Sequence, residues 1–388
     1  MNERCEKLRT IFVSRCLTRD LLETNQITTS SQKFERGFLQ EYAKISELEI
    51  VSIEKPFAKP EPLRCMDALI SGSGYLNLVW RMREMKQSGV SNIVVTGYDL
   101  RVMLLLLAFR MRGIRAFAFI YDSHRQSLKE SVLAKRILIE LYFGMGFFLA
   151  KFLDGWIVLN DDFIIRNKIN IPYKKIDVGV EVGQHLERQG SSIGKKPGRA
   201  KDVIILFSGT LNEDNGLHIL VESFRSMTRS DLKLHIYGDG HLEEFARQSA
   251  QEDNRITFFG RIENGQLVRR QRDATYLVHL REPCSITSQY SYPSKLIEYL
   301  CSDTPVLSNL FPGIGEVADF VIPITDYSVA GVTHALAGLL DGTIPGPART
   351  SASSWLAVNR GWGRIASEIE SFVAGRGGTA RSWSPRPC

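Results

Sequence analysis

Short runs of consecutive apolar residues alternate along this chain with longer stretches of helical periodicity. In the first half, Arg9–Ser14 (RTIFVS) reads as an opening strand, 34–44 as a helix and 49–53 as a short strand. An amphipathic helix over 74–87 precedes the buried strand Asn92–Thr96 (NIVVT), a helix over 100–112 and a strand over 115–121. A long helical stretch then runs to Phe152, followed by GWIVLN at 155–160 and a further short helix. Strands that are apolar throughout are buried on both faces, as in a parallel sheet between layers of helices.

Composition shifts at 179–202, where Gly, Ser, Lys and Gln dominate as in a linker. A second series begins at Asp202, with strands expected at 203–207, 233–237, 256–259, 276–280 and 304–309 and helices between them. VIPIT at 321–325 closes the sheet, and 355–374 reads as a terminal helix anchored by Trp355 and Trp362. Residues 376–388 lack periodicity and are expected to be disordered. There is no short-period repeat. The halves read as two doubly wound domains facing a cleft, and such sheets take ligands at the carboxyl ends of their strands.

A length of 388 residues admits two ordinary domains, and 44% hydrophobic against 24% charged residues is the balance of a globular protein with real cores. Six cysteines without CxxC pairs suggest neither a metal nor a disulfide framework, so a reducing cytoplasm is the simplest reading. No secretory signal is expected in MNERCEKLRTIFVSRC. The net charge of +6 matters less than its location: residues 81–151 hold twelve Lys/Arg and five Asp/Glu. The same region contains ILIELYFGMGFFLAKFL at 137–153, which is interrupted by Glu140 and short for a membrane span. It reads equally as a helix docked on an anionic membrane face or as a core helix beside a solvated basic surface. Nucleic acid is not an expected partner, because the basic residues lack interleaved aromatics or a binding module.

Candidate chemistry concentrates at 291–307, SYPSKLIEYLCSDTPVL. Pro293 suits the first turn of a helix, which places Ser294 and Lys295 among free N–H groups where a phosphate binds. Glu298 shares a face with Ser294, one turn on, where a carboxylate would hold the two hydroxyls of a ribose. Arg281 ends the strand TYLVHLR, and its planar fork suits a diphosphate; the alternative is an ion pair with Glu282 or another surface acid. FSGTLNEDNG at 207–216 is a strand end and small-residue turn, where Gly209 and Gly216 N–H groups would donate to phosphate or simply close the turn. YGDG at 237–240 offers Gly238 and Gly240 for close approach or positive φ. No P-loop follows GSG at 72–74, and no metal-ligand spacing is visible.

The block resembles the retaining glycosyltransferases of family 4, which have the GT-B fold, and more narrowly the subgroup whose nucleotide-sugar site reads PSK-L-x-EY followed by a PVL strand. The resemblance covers most of 203–340 and, more loosely, 90–180. It implies an acceptor-side domain at 1–180, a linker at 181–202, a nucleotide-sugar-binding domain at 203–354, and a helix at 355–375 that crosses back to the first domain. It further implies transfer, with retention, from a nucleotide diphosphate sugar to a lipid-linked glycan acceptor in polysaccharide or glycolipid assembly. The enzyme would use no metal or other cofactor and would sit on the inner face of the cell membrane. In such a site Arg281 and Lys295 stabilise the departing diphosphate, and Arg261 and Ile262 lie where backbone groups hold the base. Tyr290 and Ser291 would donate to sugar or phosphate. His124 lies near donor sugar and acceptor, with Asp122 on the acceptor side; an Asp–His pair capping the next helix is the plainer reading. Two departures stand out. The family's Arg/Lys pair is replaced by Thr210 or Leu211 and by Asn215, and the first acid of its E-x7-E signature by Tyr290. A sugar-nucleotide epimerase and a non-catalytic nucleotide-binding scaffold are the rival readings.

Overall fold

The computed structural model describes residues 9–14, 17, 30–52, 89–120, 133–180, 202–285, 288, 293–349 and 351–376. The chain forms two compact units, Met1–Gly179 with Arg360–Cys388, and Val180–Asn359. The expected helix at 74–87, the linker over 181–201 and the tail beyond 376 lie outside the described residues.

The first unit is built on β1 (Arg9–Ser14), β2 (Glu47–Ser52), β3 (Asn92–Thr96), β4 (Arg115–Ile120), β5 (Gly155–Val158) and β6 (Tyr173–Lys175). They pair in the order β2-β1-β3-β4-β5-β6, all parallel. Every residue of β3 is buried, as its apolar run requires. Helices α1 (Ser30–Ile45), α2 (Leu100–Arg110), α3 (Leu133–Ala150) and α4 (Asp161–Arg166) follow the strands. The start of α2 is fixed by Asp99, whose carboxylate accepts from the N–H groups of Arg101 (3.0 Å) and Val102 (3.4 Å). Helix α3 has one buried and one exposed face. Ile139, Phe143 and Ala150 are buried, and Phe147 meets Trp156 at 5.4 Å. Leu138, Leu141, Met145 and Phe148 are exposed.

The second unit contains β7 (Val203–Ser208), β8 (Leu232–Tyr237), β9 (Ile256–Gly260), β10 (Tyr276–His279), β11 (Val306–Asn309) and β12 (Ile322–Ile324). Between and after them lie α5 (Leu217–Arg225), α6 (Glu243–Glu252), α7 (Asn264–Asp273), α8 (Ser294–Leu300), α9 (Val329–Leu340) and α10 (Ala352–Asn359). The parallel order is β12-β11-β10-β7-β8-β9. In the unit's own count this is the 3-2-1-4-5-6 arrangement, so strand order reverses between β7 and β10, the place where sheets of this kind take ligands. The core packs β7 and β8 against α5 and α9 through Ile205, Phe207 and Ile236 on the sheet and Leu220, Phe224 and Leu336 on the helices.

The terminal helix expected over 355–374 is two helices, α10 and α11 (Trp362–Val373). Gly361 is extended (φ −62°, ψ 141°) and caps α11, and glycine is a poor residue for carrying a helix across that point. The two expected anchors therefore serve different units. Trp355 packs on Phe320 (5.3 Å) in the second, whereas Trp362 meets Phe34 edge-on (5.1 Å, 85°) in the first. The Trp362 indole fits because Gly37 and Gly179 have no side chain: an added Cβ would fall 2.3 and 2.2 Å from it.

Candidate functional site: the carboxyl ends of β7 and β10

The chain leaves β7 through Gly209 and Thr210, closes a 3-10 turn over Glu213–Asn215, and enters α5. Asn212 caps the turn by accepting from the Asn215 N–H at 2.9 Å, and the Asn215 side chain donates back to the Thr210 carbonyl at 2.8 Å. Asn215 thus ties the turn to itself at the position where the resembled family carries a lysine. Gly216 (φ 65°) sits against the second switch-point strand, where a Cβ would lie 2.7 Å from Cβ of Leu280.

The backbone donors expected of Gly209 and Gly216 are already committed. Gly209 N–H donates to the Tyr237 carbonyl (3.1 Å), extending the β7–β8 ladder, and Gly216 N–H closes the 3-10 turn on Glu213 (2.8 Å). Gly238 and Gly240 likewise serve the protein's own backbone. At Gly238 (φ 135°) a Cβ would fall 1.9 Å from the Gly209 carbonyl oxygen, and at Gly240 one would fall 2.4 Å from that of Leu211. These glycines let the loops after β7 and β8 cross in contact, secured by Leu211 N–H to the Asp239 carbonyl at 2.8 Å. Arg261 follows Gly260 at the end of β9 and forms an exposed ion pair with Asp239 (3.3 Å); Ile262 is half-buried beside it.

Arg281 lies two residues beyond β10 and is only 6% exposed, so its guanidinium is buried rather than on the surface. Its backbone is held at both ends by the Asn309 amide, which accepts from Arg281 N–H (2.9 Å) and donates to its carbonyl (2.8 Å). Its Nε donates to the Ser288 hydroxyl at 3.0 Å, and its guanidinium lies 5.7 Å from the Phe311 ring centre. Burial pulls the guanidinium down to about 10, opposed by the negative charge of Asp214, so it stays protonated at neutral pH. His279, buried at the end of β10, is paired with Ser308 at 3.1 Å. Burial first, then the charges of Arg281 and Lys295, push it down to about 3 and keep it neutral. Both cations are thereby felt at one buried imidazole.

Helix α8 begins one residue later than expected, with Pro293 as its cap and exposed Ser294 as its first residue. Lys295 Nζ donates to Glu298 Oε1 at 2.8 Å, and the Gln271 amide donates to the same oxygen at 2.9 Å. Tyr299 anchors the helix to β7: its hydroxyl accepts from Ser208 N–H (2.6 Å) and donates to the Ser208 carbonyl (3.0 Å). The structure therefore places Ser294, Lys295 and Glu298 on the first turns of α8, with Arg281 beyond β10. Asp122, His124, Tyr290 and Ser291 lie outside the described residues. Sequence reasoning missed Asn309, Ser208, Gln271, Tyr299 and His279. A polar residue closing an apolar strand, as Asn309 closes VLSN, was the available signal.

Among solved structures, the chain is similar to sucrose-phosphate synthase from Thermosynechococcus elongatus at 13% identity, with a TM-score of 0.61 over 95% of this chain and 99% of that one. It is similar to HepE of Anabaena, solved in complex with UDP, at 13% identity and a TM-score of 0.58 over 95% and 100%. The lipopolysaccharide outer core galactosyltransferase WaaB matches at 13% identity and a TM-score of 0.55, again over 95% and 100%. These likenesses and the two six-stranded parallel sheets define the fold as GT-B. Residues 191–320 match the family model of the Glycosyl transferases group 1, which spans the β7 and β10 ends described above. No curated protein matches the chain.

Proposed function

We propose that the chain is a retaining glycosyltransferase. It moves a sugar from a nucleotide diphosphate sugar to a lipid-linked glycan acceptor in polysaccharide or glycolipid assembly, at the inner face of the cell membrane. The observation that carries this reading is Arg281, a buried arginine fixed at the switch point by Asn309 and Ser288. An immobilised guanidinium in a low-dielectric setting suits charge that grows on a departing diphosphate. Lys295 would exchange its partner Glu298 for a phosphate oxygen, which releases the Glu298 carboxylate to accept from the ribose hydroxyls. Neutralisation by Arg281 and Lys295 replaces a divalent cation in this scheme. No enzyme nucleophile is assigned, so the acceptor attacks on the face the diphosphate leaves, with His124 and Asp122 on the acceptor side and Tyr290 and Ser291 at the sugar. The solved complexes of HepE with UDP and UDP-glucose make a uridine nucleotide the first donor to try. Calorimetric titration with UDP, GDP and ADP tests the reading. Selective binding of one supports it; no binding by the folded protein overturns it.

A second reading, a nucleotide-binding relative without turnover, draws on the turn after β7. Glu213 and Asp214 stand there beside the positions where the resembled family has cations, and Glu213 is paired with His241. Tight nucleotide binding with no sugar transfer or donor hydrolysis would favour it.

A further inference from the structure

Helix α3 and the turn after it carry an exposed apolar stripe. At about 100° per residue, Ile137, Leu138, Leu141, Met145, Phe148 and Phe152 fall within an arc of about 100°. Ile139, Phe143, Gly146 and Ala150 fall on the opposite side, which packs into the first unit. The six stripe residues are 49% to 62% exposed. Seven of the twelve large apolar side chains exposed among the described residues lie on this stripe or on α2, the helix packed beside it. Singly scattered apolar residues are ordinary on a surface, but a contiguous stripe marks an interaction site.

Cations frame the stripe. Arg136 is exposed at its start, and Lys151 sits at its end with Nζ 5.3 Å from the Phe147 ring centre. Arg110 donates to the Phe152 carbonyl and is ion-paired with Asp154 (3.1 Å), and Arg101 is ion-paired with Asp99 (3.3 Å). Glu140 is the single acid in α3. A second copy of the chain is a poor occupant, because a two-fold contact would set the same cations against one another. An anionic phospholipid surface meets both the apolar arc and its charged margins.

We propose that this face of α3 seats the chain on an anionic bilayer. The six apolar side chains enter the boundary between headgroups and acyl chains, and Arg136 and Lys151 lie among the headgroups. Helix α3 does not span: its 18 residues reach about 27 Å, short of the roughly 30 Å hydrocarbon layer, and half its circumference is committed to the core. Among the described residues no helix is long and apolar enough to cross a membrane. This assigns the surface on which the inner-membrane placement above would rest, and its test involves no sugar nucleotide.

The test is flotation of the full chain with vesicles of phosphatidylcholine alone and of equal parts phosphatidylcholine and phosphatidylglycerol. The wild type is expected to float with the anionic vesicles and far less with the neutral ones. A Leu141→Asp/Phe148→Asp double variant is expected to lower the bound fraction about tenfold, as charge enters the apolar arc. Both residues are exposed, so the fold is retained; circular dichroism and an unchanged nucleotide titration confirm this and keep the docking claim separate from the donor site. Arg136→Ser/Lys151→Ser is expected to weaken anionic binding and reduce its sensitivity to salt. Three results would overturn the proposal: no flotation of the wild type, flotation of the double variant equal to wild type, or equal flotation on neutral vesicles. A wild-type dimer that the double variant loses, without vesicle binding, would assign the stripe to a second copy instead.

Discussion

Asn309 and His279 show what single residues do at this site. Asn309 spends both ends of its amide on the backbone of Arg281, and its side chain has no substitute among small residues. In Asn309→Ala, two buried backbone groups lose their partners, at a cost of about 1–3 kcal/mol in stability. The guanidinium then loses its fixed direction. Affinity for a nucleoside diphosphate is expected to fall about tenfold while affinity for the bare nucleoside holds, as titration of both ligands would show. An equal loss for both would mean Asn309 only supports the fold. His279 makes a pH prediction. Its folded-state value, about 3, lies below the ordinary 6.5, so below pH 6.5 the unfolded chain binds a proton that the folded chain refuses. Its stabilising contribution is present above that pH and is lost as pH falls toward 3, by about 1.4 kcal/mol per unit. Between pH 7 and pH 5, wild type should therefore lose about 2 kcal/mol more than His279→Gln in urea unfolding. Parallel losses would show that the imidazole is not shielded.

At the scale of elements, the site depends on α8 being fixed to the end of β7. Tyr299 provides that link through a hydroxyl with both Ser208 backbone atoms, and burial holds its phenol well above the usual value. Tyr299→Phe leaves these groups unsatisfied, so stability should fall by about 1–3 kcal/mol. Nucleotide affinity should weaken with it, because Lys295 and Glu298 ride on the same helix; thermal unfolding and titration together check this, and an unchanged affinity would uncouple the helix from the site. The parallel strands were legible because a strand buried on both faces must be apolar throughout, as NIVVT and VIILFS are. The places of Arg281 and Glu298 in the fold were legible because a charge at a strand end or one helical turn from a polar cap has a direction set locally. Asn309 with Arg281, Gln271 with Glu298 and Tyr299 with Ser208 were not, since those partners are 28, 27 and 91 residues apart and meet only once the sheet order is fixed. The same limit left both readings of Gly209 and Gly216 open: whether an N–H is free depends on a neighbouring strand or turn, not on the glycine. The break at Gly361 was hidden because the apolar spacing of Trp355 and Trp362 continues through it.

Across the whole molecule, each unit carries a distinct candidate surface. The second unit gathers its cations at the β7–β10 switch point, and the first exposes the apolar, cation-framed side of α3. Nucleotide chemistry and membrane attachment would then be separable, which is why their variants are expected to act on different measurements. The central claim is that Arg281 holds the diphosphate of a sugar nucleotide. The most direct measurement is calorimetric titration of UDP, GDP and ADP into wild type and Arg281→Ala. One nucleoside diphosphate should bind wild type selectively and bind the variant about tenfold to a hundredfold more weakly, as expected for lost charge-assisted hydrogen bonds. Equal affinity in a folded variant, or no nucleotide bound by wild type, would contradict the account.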